Sequence, residues 1–130
     1  MPVPGPPPHA LESEIAISWL GDDGILYSVS KPPTRTIENV KDNIEVVRKI
    51  TGGKKTCILV FLCPSGKPTR ATREYVAKVL PDVYTAMAMV SSSGLGKVIM
   101  NFIFRLNKPS IPMKTFSNES EAKEWLKNYL

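Results

Sequence analysis

The sequence predicts an α/β domain: a mostly parallel five-stranded sheet that opens on an antiparallel hairpin, with four helices, in the order ββαβαβαβα. Three observations carry this. Two stretches near the start alternate apolar and polar residues around a turn cluster. An apolar run at 56–63 does not alternate at all. Helically spaced apolar residues occupy most of the remaining chain, separated by short apolar runs. The length of 130 residues suits one domain with a core of its own, and 42% apolar with 22% charged residues is ordinary for a globular chain.

The first ten residues hold five prolines, a composition that favours extended polyproline II, and residues 1–13 are expected to form a flexible Pro-rich leader to a domain over 14–130. Ile15, Ile17 and Trp19 alternate with Ala16 and Ser18, which predicts a strand over 14–20. Gly21–Gly24 is a turn cluster. Ile25, Tyr27 and Val29 then resume the alternation, so the pair reads as a hairpin that stops at Pro32-Pro33. Ile37, Val40, Ile44, Val47 and Ile50 form a helical stripe over 36–51. Thr34 or Thr36 supplies its N-cap and Gly52-Gly53 ends it. The run at 56–63, Thr-Cys-Ile-Leu-Val-Phe-Leu-Cys, reads as a central parallel strand covered on both faces. A loop at 64–68 leads to a helix over 69–80, with Pro81 just beyond it. A strand at 85–91, a helix at about 94–106, a short strand at 113–116 and a final helix at about 118–130 complete the order. Ser117 or Asn118 caps the last helix, and Asn118 has capping-box spacing to Glu121.

Composition excludes several kinds of chemistry. No apolar run approaches the roughly 18–20 residues of a membrane span, and no signal-peptide pattern opens the chain. Cys57 and Cys63, read as parts of one strand, would lie about 20 Å apart and match no zinc spacing. They read as two buried thiols in a reducing compartment, and the cytoplasm is the expected location. His9, the single histidine, falls in the Pro-rich leader, which leaves no His for a catalytic or metal site. Ser93-Gly94-Leu95-Gly96-Lys97 lacks the flanking Gly and Ser/Thr of a phosphate-binding loop. No carboxylate pair sits in an apolar setting that would separate two pKa values. No catalytic residue, cofactor or metal ligand is expected, and the chain does not read as an enzyme. Its 17 Lys+Arg against 12 Asp+Glu give a net charge of +5, but the cations are dispersed and not interleaved with aromatics, so nucleic acid is not an expected partner.

Asp23-Gly24-Ile25-Leu26-Tyr27, Asn107-Lys108-Pro109, and Lys114-Thr115-Phe116-Ser117 followed by Glu121-Ala122-Lys123-Glu124-Trp125-Leu126 resemble the SpoIIAA-like branch of the STAS domain, across about 14–130. The resemblance implies a regulatory, protein-binding role. It also implies a phosphorylatable serine in the turn between the strand after the first helix and the next helix. Here that turn holds Ser65-Gly66 without the family's Asp, so Ser65 and Thr69 are the positions the topology indicates.

Two surfaces stand out. Lys67, Arg70 and Arg73 gather at the start of the second helix, where cations oppose the helix dipole. With Ser65, Thr69, Ser93, Gly94 and Lys97 they make an anion or small-ligand site at loops 64–69 and 91–97. On the helix at 94–106, Met100 and Phe104 fall opposite a wide core face and suit a protein partner or a second copy of the chain in a homodimer. The leading expectation is therefore a STAS-like interaction module that self-associates. Its rival is a small-molecule or lipid-binding module whose apolar pocket is lined by the strand bearing Met87 and Met89 and by the apolar helix at 94–106.

Overall fold

A computed structural model describes residues 5–91 and 111–130. Among them, six strands form one mixed sheet whose spatial order is simply the chain order. β1 (Leu11–Glu12), β2 (Ala16–Leu20) and β3 (Leu26–Ser30) pair antiparallel, and β4 (Thr56–Phe61), β5 (Tyr84–Val90) and β6 (Met113–Phe116) continue from β3 in parallel. The helices are α1 (Ile37–Thr51), α2 (Arg70–Val83) and α3 (Glu119–Leu126), with a 3-10 turn over Lys127–Tyr129.

The α/β class holds, and several details differ from expectation. A sixth strand, β1, lies within residues assigned to the leader, with Leu11 opposite Ser18 and Glu12 opposite Ile17. Two residues are too few to show a period. The third helix of the expected four, at 94–106, lies outside the described residues. The central strand ends at Phe61, so Cys63 sits beyond it, half-buried, where its thiol donates to the Ser30 carbonyl at 3.2 Å. α2 runs through Pro81 to Val83. In the last turn a proline costs a single i→i−4 bond, and the helix still closes with the Tyr84 N–H on the Leu80 carbonyl.

Local chemistry fixes the helix starts. Thr36 caps α1 in a reciprocal box: its hydroxyl accepts the Asn39 N–H at 3.1 Å while Asn39 Oδ1 accepts the Thr36 N–H at 2.7 Å. Gly52, at φ 68°, ends α1 in the left-handed conformation that a side chain would strain. Thr69 caps α2, and Asn118 caps α3 by accepting the Glu121 N–H.

Strand alternation divides the side chains between two layers. Ile17, Val29, Phe61, Val90 and Phe116 align across five strands on the face that α3 covers. There Leu59, Ala88, Ala122 and Leu126 at the centre have no exposure, and Val29, Phe116, Trp125 and Tyr129 around them are partly buried. The opposite face carries the row Leu26, Ile58, Met87, Met113 beneath α1 and α2. It is sealed less evenly, because Ile44, Val60, Val76, Met87 and Met113 are only partly buried.

The α3 face also holds a tyrosine, Tyr27, whose pH dependence can be tested. Tyr27 stacks on Trp19 with centroids 5.7 Å apart, donates its hydroxyl to Asp23 Oδ2 at 2.5 Å, and lies under the Lys123 ammonium at 5.4 Å. Burial, then the bond to Asp23, push its phenol up to about 12, with Lys123 opposing. The unfolded chain releases this proton near pH 10 and the folded chain near 12, so between those values the unfolded state binds fewer protons. Stability from this group is therefore complete below about pH 10 and lost as the pH rises towards 12. Tyr27→Phe is expected to flatten the alkaline decline, measured as urea midpoints over that range. An unchanged slope would show that Tyr27 does not carry it.

Candidate functional site

The uneven packing beneath α1 and α2 encloses a cavity of about 340 Å³, at the small end of the size range for ligand pockets. Its floor is the sheet, through Ile58 and Val60 of β4, Met87 and Met89 of β5 and Met113 of β6. Its roof is Val40 and Ile44 of α1 with Val76, Val79 and Leu80 of α2, and Val83 and Tyr84 lie towards the start of β5. Three of the protein's five methionines line it. Their unbranched side chains adapt to the shape of what they touch.

Polar groups collect at the other end, where β3 and β4 finish. Ser30, Arg35, Cys63, Ser65, Lys67 and Arg73 line the cavity there, and residues 64–67 are exposed, so this end faces solvent. No Asp or Glu lines the cavity among the described residues.

Arg35 is the distinctive member of this group. Its Nη1 donates to the carbonyls of Lys31 at 2.6 Å and Pro33 at 2.9 Å, and its Nη2 donates to the Ile15 carbonyl at 3.0 Å. Burial lowers its pKa from the ordinary value, and the neighbouring Cys63 opposes that shift. A guanidinium nevertheless remains charged in neutral water. These three partners are carbonyl dipoles rather than a carboxylate, so its charge is held in place without a counter-charge among the described residues. At the other end burial pushes the Tyr84 phenol well up.

The structure sorts the expected site residues. Ser65, Lys67 and Arg73 do meet at the cavity. Arg73 also donates to the Pro68 carbonyl at 3.1 Å. Arg70 turns outward to an exposed ion pair with Glu74 at 3.0 Å. Thr69 does not line the cavity: its hydroxyl takes the Thr72 N–H as the helix cap and contacts the Thr72 hydroxyl at 3.0 Å. Ser93, Gly94, Lys97, Met100 and Phe104 lie outside the described residues. Sequence reasoning missed Arg35, Cys63 and Asn43, which lines the cavity from α1 and accepts the Ser13 hydroxyl at 2.8 Å. Arg35 and Cys63 follow the ends of two neighbouring parallel strands, and the edge rule that selected loop 64–69 selects the connection holding Arg35 equally well.

The cavity also departs from the usual placement for this fold class. Ligands in open α/β sheets sit where crossovers diverge to opposite faces. Here α1 and α2 pack on one face and the strand order never reverses, so the space lies under the helices, with its polar end at the strand edges. No described helix is long and apolar enough to cross a membrane. No group of three metal-ligating side chains forms among the described residues. No curated protein and no solved structure matches the chain. Residues 18–130 match the family described as a domain of unknown function (DUF7793), and the chain belongs to it.

Proposed function

We propose that the protein is a non-enzymatic binding module that takes a small, largely apolar molecule into the space between the sheet and α1 and α2. The observation that supports this reading is the methionine-lined cavity of about 340 Å³, apolar along its length and polar at one end. An apolar pocket with a few convergent polar groups is what holds and orients a small ligand. The alternative is a self-associating STAS-like regulator; it rests on the sequence resemblance, and its self-association on Met100 and Phe104, which lie outside the described residues.

Native mass spectrometry of the freshly purified full chain, with calorimetric titration of decanol as a neutral apolar probe, tests the proposal. A retained small molecule or saturable uptake of one decanol per chain is the expected result. A chain that carries nothing and takes up no decanol would overturn it. The same spectra report subunit number, and so bear on the self-association reading.

A further inference from the structure

The Arg35 end of the cavity specifies the chemistry of the ligand. We propose that it is a medium-chain fatty acid, its carboxylate on Arg35 and its alkyl tail between the sheet and α1 and α2; this rests on the binding reading above.

The cavity has cations at one end, no acid among its described lining residues, and apolar walls beyond. A molecule that complements it carries one negative end and is otherwise hydrocarbon. A neutral lipid would leave the Arg35 charge without a counter-ion, and a cationic amphiphile would meet like charge. Hydrogen-bond geometry narrows the choice of head. Three of the five guanidinium N–H groups are held by carbonyls of Lys31, Pro33 and Ile15. That leaves Nε–H and one Nη2–H, and a carboxylate that accepts both is held by two charge-assisted hydrogen bonds. Because the same three carbonyls fix the side chain, little rotamer entropy remains to be lost on binding. Volume sets the length of the tail. A cavity of about 340 Å³ is at the small end of the range for ligand pockets and suits one chain of medium length rather than a two-chain lipid.

Calorimetry of the full chain with decanoate, decanol and decyl phosphate at neutral pH separates the possibilities. Decanoate is expected to bind about tenfold or more tightly than decanol, in keeping with a charge-assisted bidentate bond. Arg35→Gln is expected to remove that preference, so that decanoate binds this variant no more tightly than decanol does. Arg35→Lys, which keeps the charge without the fork, should retain only part of it. Should the Arg35 variants fail to fold, carbon NMR of carboxyl-labelled decanoate on the unaltered protein decides the point: a carboxylate paired with a guanidinium titrates below its value in water. Equal binding of decanol and decanoate would overturn the fatty-acid assignment and leave the cavity reading standing. Tighter binding of decyl phosphate would overturn it in favour of a phosphate head. Binding of none of the three would overturn both readings.

Discussion

Phe61→Ala is expected to destabilise the fold by about 3–5 kcal/mol, the range for emptying a large buried aromatic site. Phe61 is 1% exposed in the central strand, between Val29 on β3 and Val90 on β5. Its layer is the closed one: Leu59, Ala88 and Leu126 are wholly buried with it, and the small Ala122 lets α3 approach closely. A site boxed in by sheet and helix cannot collapse around a lost ring, so both the transfer and the cavity contributions are felt. Urea unfolding, with the slope checked for constancy, measures the loss. A loss under about 1 kcal/mol would mean that α3 does not close this face.

Val60→Phe, one position earlier on the same strand, is expected to behave in the opposite way. Enlarging a side chain in a filled core costs about 1–3 kcal/mol. Val60 instead faces the cavity and is only partly buried. The added ring has room, so stability should stay within about 1 kcal/mol of the parent. Binding should suffer heavily, since a phenyl group in the middle of the space occupies the path of any ligand tail. Uptake of decanol and decanoate is expected to fall by more than about tenfold, each tenfold being about 1.4 kcal/mol. A variant that loses several kcal/mol would show that this layer is as full as the other. A variant that is stable and binds unchanged would place the ligand elsewhere.

The contrast between these neighbours shows what the sequence could reveal. That β4 is covered on both faces was legible, because Cys-Ile-Leu-Val-Phe has no polar alternate. That one face is tight and the other hollow was not, because both are built from the same residue types. Helix α1 was legible from its stripe, and its caps from Thr36 and Gly52-Gly53. The passage of α2 through Pro81 was not, since a proline in a last turn and one beyond it look the same in a sequence. β1 has no period to read, and its pairing is fixed by β2 alone. Arg35, among prolines and threonines, reads as a solvated loop cation. Its burial depends on the Ile15 carbonyl, 20 residues upstream, a contact that only the hairpin creates. Of the basic cluster at the start of α2, the sequence found the right neighbourhood. Which cations turn inward was decided by helix geometry, with Arg70 and Glu74 pairing along the outer face.

The shortness of β1 has a bearing on how the molecule keeps to itself. The antiparallel margin of the sheet is bounded by two residues, Leu11 and Glu12, and Glu12 is tied to Lys31 at 2.5 Å. A strand that brief, with an acid tethered across its end, offers an incoming chain almost no template for hydrogen bonding. Without it, the outermost strand would be β2, five residues long and bearing Ile17 and Trp19, a far better surface for strand-to-strand aggregation. Leu11 and Glu12 thus act as a selvedge, finishing the margin of the sheet so that it does not propagate into a neighbour.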